Sequence, residues 1–131
     1  MVDWNSVNIL AVLIGGVLYM MYGGIYYSSL LGKKSRSNEI KDHQSEGPLK
    51  YLISVIIAFI SSFFIGILVQ SIEIGSWIEG LALGFMIGLL ISMVYLKNRL
   101  FGLMSQKAFL IAIGDHLIIF TLLGALHGVL N

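Results

Sequence analysis

One carboxylate stands where the sequence offers almost no water. Asp115 lies in an otherwise apolar run, eight positions beyond Lys107, which on a helix is a depth of about 12 Å. An ionisable side chain that far into hydrocarbon is costly and normally faces a bundle interior or a water-filled cavity, so it marks a candidate functional site. His116 follows it directly, but successive residues on a helix point about 100° apart, so the two are expected to address different neighbours. Counting inward from the ends of the other apolar runs brings Tyr22, Tyr26, Ser61, Ser62 and Ser92 to the same depth. Tyr19, Tyr22 and Tyr26 recur at i, i+3 and i+7 and so share one helix face. A layer of hydroxyls, carboxylate and imidazole has the chemistry to relay protons or to hold a small polar solute. It equally fits a satisfied hydrogen-bond layer that fixes helix register, and on sequence alone both readings stand.

Other chemistry is sparse. The chain has no cysteine, which removes disulfides, thiolate metal sites and thiol redox chemistry. It carries no nucleophile–base signature, P-loop or dinucleotide fingerprint, so the expectation is no enzyme, no cofactor and no metal. His127 comes eleven residues after His116, close to the same face but near the opposite end of the run. With Asp3, Glu73 and Glu79 it reads as a solvated interfacial rim, since their spacing matches no metal motif. Haem would need imidazoles on facing helices at matched depth, and one chain offers none. His43 reads as a solvated loop residue.

The elements that must position these groups follow from where the charges fall. Of 131 residues, 57% are hydrophobic and 11% charged, whereas a soluble domain averages about 45–50% and about 25%. That excludes a soluble globular fold, and the high hydrophobicity excludes disorder. A net charge of +1 weighs against nucleic acid as a partner, because phosphate neutralisation needs a basic patch. Uncharged runs of 29, 22 and 17 residues precede Lys33, Glu73 and Lys97, and 24 residues from Ala108 carry only Asp115 and two histidines. About 20 helical residues cross a hydrocarbon core about 30 Å thick, and no run alternates in polarity as a membrane β-strand would. The fold class is therefore all-α: a polytopic four-transmembrane-helix bundle forming a single membrane domain, 1–131. Its spans cover about 6–32, 51–72, 78–96 and 108–130, with a polar loop at 33–50.

Small residues set the expected packing. Gly80, Gly84, Gly88 and Ser92 recur every four positions on the third span, and Gly124 and Gly128 close the fourth. Residues four apart share a face, and small faces let backbones approach closely where lipid gives no hydrophobic drive to association. Ser54, Ala58, Ser62 and Gly66 form a similar series on the second span. Several such faces on one chain allow packing inside a bundle and a homo-oligomer besides.

The segments Trp4-Asn5 and Gly24-Ile25-Tyr26-Tyr27-Ser28-Ser29-Leu30-Leu31-Gly32-Lys33, together with His116, Gly124 and Gly128, resemble the small prokaryotic membrane proteins of the domain of unknown function 1761 family. The resemblance covers nearly the whole chain. It departs from the family pattern at Ser29, where proline is usual, and at Asp115, where an aromatic is common. The resemblance implies four spans and adds weight to His116, and it brings no established activity.

The functional expectation is a channel- or transporter-like module for protons or small cations and solutes. The alternative is a structural or assembly subunit of a membrane complex without its own chemistry. The expected partners are the lipid bilayer, a second copy of the chain and a small ion or solute. All eight Lys and Arg fall between the first and second or the third and fourth spans. The positive-inside rule then places both termini outside a prokaryotic cell membrane. A reporter active only outside the cytoplasm, fused after Asn131, is expected to be active; a silent fusion with an active one in the 97–107 connection would reverse the orientation.

Overall fold

The computed structural model describes residues 8–31 and 48–130, with only the backbone for 29–31. Asp3, Trp4, Asn5, His43 and the polar loop up to residue 47 lie outside the described residues. Four helices follow one another: α1 Ile9–Leu31, α2 Leu49–Ser71, α3 Trp77–Leu100 and α4 Gln106–Leu130. Each is long and apolar enough to cross a membrane, and no strand occurs among the described residues. The chain is a four-helix polytopic membrane protein.

The helix ends are set by local chemistry. Asn8 Oδ1 accepts from the Ala11 amide, Ser76 Oγ from Glu79 and Ser105 Oγ from Ala108, so side chains cap α1, α3 and α4, as the free amides of a first turn require. Pro48 precedes α2, where its missing N–H loses nothing. After α2 the Glu73 and Ile74 amides donate back to Gln70 and Val69, with Glu73 at φ 60. After α3 the Gly102 and Leu103 amides donate to Arg99 and Asn98, with Gly102 at φ 81. Both are the left-handed closures that satisfy terminal carbonyls. Glu79 in the first turn of α3 and Lys97 and Arg99 in its last also suit the helix dipole.

α4 is the hub: it packs on α3 along most of its length and also touches α1 and α2, while α2 and α3 barely meet. The α3–α4 contact is made through backbone. A Cβ on Gly80 would strike the carbonyl of Gly124, one on Gly84 the carbonyl of Phe120, and one on Gly88 the Cα of Leu117. Gly128 lies against Ser76 and Trp77 in the same way. Ser92 continues the row, buried, its hydroxyl donating to the Gly88 carbonyl of its own helix. The glycine series thus serves packing within one chain. On the other hairpin, Gly16 of α1 lies under the Phe59 ring of α2. The Asn8 side chain donates to the Leu130 carbonyl at 2.9 Å, which ties the start of α1 to the end of α4. Ile65, Val69, Ile74, Ile119, Phe120 and Leu123 form the apolar centre.

Gly84→Ala is expected to lower thermal stability in detergent by about 1–3 kcal/mol, as overpacking does, because backbone cannot yield as a side-chain tip can. Gly23→Ala, where nothing lies within 4 Å of the new methyl, should stay within about 0.5 kcal/mol. Equal losses in paired unfolding curves would contradict the assignment of the glycine contact.

Candidate functional site

Asp115 is 5% exposed and lies on the side of α4 that faces α1. Its Oδ2 accepts a hydrogen bond from the Tyr27 hydroxyl at 2.6 Å. Its Oδ1 is buried with no hydrogen-bond partner among the described residues. An unsatisfied buried oxygen of this kind requires an explanation, because the large majority of such atoms are paired. Two further tyrosines of α1 fasten the same helices. Tyr26 donates to the Ile111 carbonyl at 2.8 Å and Tyr22 to that of Gly114 at 3.5 Å. Gly114 makes room for this, since a Cβ there would meet the Tyr26 hydroxyl.

His116 turns toward α3. Its Nδ1 is 2.8 Å from the Ala112 carbonyl, one turn back, and 3.9 Å from Asp115 Oδ2. A proton on Nδ1 satisfies that carbonyl and leaves Nε2 bare in the neutral ring. The ring sits between Tyr95 at 5.2 Å and Phe120 at 6.2 Å, with Tyr19 edge-on to Phe120 at 6.3 Å. Tyr22 stacks on Tyr26 with centroids 5.4 Å apart, and Tyr26 meets Tyr27 edge-on at 5.3 Å. The carboxylate therefore lies in a largely aromatic wall drawn from α1, α3 and α4.

Ser62 does not join this layer. Its hydroxyl donates to the Val12 carbonyl at 2.8 Å and lies 3.1 Å from His127 Nε2. Because its single proton goes to Val12, the imidazole Nε2–H must donate to Ser62. Counting depth from the helix ends misplaces Ser62 because α2 is offset along the bundle, which sets Ser62 level with Val12 in the first turn of α1 and His127 in the last turn of α4. Ser61 is half-buried and hydrogen-bonded to neither group among the described residues. Ser92 bonds within its own helix.

His127 also departs from the sequence expectation. It is 2% exposed instead of solvated, seated in a slot formed by Gly15 of α1 and Gly66 of α2, where a Cβ would meet its ring. Two glycines on adjacent helices were the available signal for this slot. Glu73 and Glu79 are exposed and do not share its site, and no group of three His, Asp or Glu that could hold a metal occurs among the described residues. Tyr27 was the partner that the tyrosine periodicity missed, because it points about 100° away from Tyr26.

The two polar groups are separate. Asp115 and His127 lie twelve positions apart on α4, a rise of about 18 Å, and the fully buried Ile119 and Leu123 fill the interval.

The chain belongs to the family described as protein of unknown function (DUF1761), whose profile matches residues 10–128. No curated protein and no solved structure matches it.

Removing one hydroxyl at a time should rank the tyrosine contacts. Tyr27→Phe should be the most destabilising, by about 1.5–3 kcal/mol for a bond to a charged group, followed by Tyr26→Phe, with Tyr22→Phe close to neutral. Thermal unfolding of the three variants in one detergent tests the order; a Tyr22 effect larger than that of Tyr27 would contradict it.

Proposed function

We propose, for a family whose description assigns no activity, that this protein is a small channel- or transporter-like membrane module in which Asp115 is a proton- or cation-sensitive site. One observation carries the reading: a buried carboxylate holds a Tyr27 hydroxyl on one oxygen and has no partner among the described residues on the other. A charge at the middle of a helix in hydrocarbon is unfavourable by about 2.5–3.5 kcal/mol even on insertion scales. A layer that served packing alone would gain more from two satisfied oxygens or from an apolar residue. A group that must take up and release a cation needs a vacant coordination position. The apolar interval of Ile119 and Leu123 gives the module a closed centre, so passage across the membrane requires the helices to rearrange there.

No covalent chemistry is included in this proposal. A hydroxyl activated by histidine needs a bare Nε2 as base, and the Ser62–His127 geometry supports the reverse polarity. On the orientation given by the basic residues, Asp115 lies in the cytoplasmic half of a cell-membrane protein with both termini outside.

The second reading is a structural or assembly subunit, alone or as a homo-oligomer. It is favoured by Ser62, His127 and Val12, whose hydrogen bonds join three helices. Proton flux into liposomes decides between the two. Transport predicts flux above empty liposomes that Asp115→Asn lowers at least tenfold with the unfolding curve preserved. Flux indistinguishable from empty liposomes across pH and added monovalent ions, with Asp115→Asn changing only stability or particle size, leaves the assembly reading.

A further inference from the structure

The two ends of the bundle differ in charge. Tyr26 of α1 donates to the Ile111 carbonyl of α4, so the end of α1 lies beside the start of α4. The connections at this end, between α1 and α2 and between α3 and α4, hold all eight Lys and Arg of the chain. They hold only three of its seven acids, Glu39, Asp42 and Glu46, which leaves an excess of five cations. The α3–α4 connection is purely basic: 97–107 contains Lys97, Arg99 and Lys107 and no Asp or Glu.

Helix geometry decides where these cations point. Gly80, Gly84, Gly88 and Ser92 are the buried side of α3, against α4. At 100° per residue, Met86, Leu90, Met93 and Lys97 fall on the opposite side, and all four are exposed. On a membrane helix that side faces acyl chains, so Lys97 closes an apolar, lipid-facing stripe within one turn of the helix end. A lysine there lays its methylene stem along apolar surface and lifts its ammonium to the level of the headgroups. Arg99 is turned the other way, its guanidinium carbon 5.7 Å from the centre of the Phe109 ring of α4. Lys107 is exposed in the first turn of α4.

The ligand that fits has two parts. It carries an anion for Lys97 and hydrocarbon for the stripe below it. A soluble anion would meet the same cations but gain nothing from Met86, Leu90 and Met93. A nucleic acid or an acidic protein segment would be confined to the connection itself. An anionic phospholipid satisfies both parts at once, since basic side chains beside a membrane attract such headgroups.

We propose that the α3–α4 connection is a binding surface for an anionic phospholipid, with the headgroup phosphate at Lys97 and the acyl chains along the Met86–Leu90–Met93 stripe. Arg99 and Lys107 add to the positive field at the headgroup. The surface is independent of the transport-type reading of Asp115, which lies on the side of α4 facing α1.

Electron paramagnetic resonance of spin-labelled phosphatidylglycerol and phosphatidylcholine tests this with the purified full chain in phosphatidylcholine bilayers, where both leaflets are alike. Phosphatidylglycerol is expected to be immobilised by the protein in preference, by about fivefold for one cation at the membrane surface. The preference should shrink as salt is raised. It should be lost in the double variant Lys97→Gln/Lys107→Gln and kept in Lys97→Arg/Lys107→Arg, which preserves both charges. Equal immobilisation of the two lipids by the unaltered chain overturns the proposal without any variant. So does a preference that the glutamine pair retains in full. Glycerol phosphate added in solution separates a lipid from a free phosphate: it should leave the labelled lipid in place. Displacement as complete as unlabelled phosphatidylglycerol achieves would overturn the assignment to lipid.

Discussion

Lipid does not push helices together, so this bundle depends on how closely two backbones can approach. The α3–α4 contact meets that constraint with Gly80, Gly84 and Gly88 set against Gly124 and the Leu117–Phe120 backbone. At 100° per residue, Asp115 lies on the opposite side of α4 from Gly124. Docking the glycine side on α3 therefore turns the carboxylate toward α1, where Tyr27 meets it. His116, one step round the helix, is left against Tyr95 of α3. The polar site is a consequence of the apolar contact on the far side of the same helix.

The two buried polar groups differ in kind, and the difference is chemical. Around His127 the imidazole bonds Ser62 and Ser62 bonds Val12, with two glycines shaped to the ring. Such a group fixes three helices at one level. Around Asp115 the tyrosines reach two carbonyls and one carboxylate oxygen, and the second oxygen has no partner among the described residues. Satisfied hydrogen bonds of the first kind specify structure, whereas a buried oxygen without a described partner is costly.

Much of this was legible in the residues. Uncharged runs marked four helices, because charge cannot stay in hydrocarbon unpaired, and the isolated Asp115 marked the site. The spacing of Gly80, Gly84 and Gly88 showed a backbone-width groove, though not which helix would fill it. Less legible was anything that depends on helix offset. Counting depth as if the helices start level puts Ser62 in the Asp115 layer, whereas its bonds to Val12 and His127 place it near the other end of the bundle. Tyr27 was passed over because it lies off the Tyr19–Tyr22–Tyr26 stripe, and its long side chain covers the angular difference. The position of His127 near a helix end reads as interfacial; its burial depends on Gly15 and Gly66, three and two helices away in sequence.

The central claim is that the Asp115 carboxyl is held in the bundle by Tyr27. The infrared carboxyl bands of bilayer-embedded protein report this directly, with the Asp115 contribution isolated by subtracting the spectrum of Asp115→Asn. Tyr27→Phe is expected to shift the Asp115 band and Tyr22→Phe to leave it in place. A band that Tyr27→Phe does not move would contradict it.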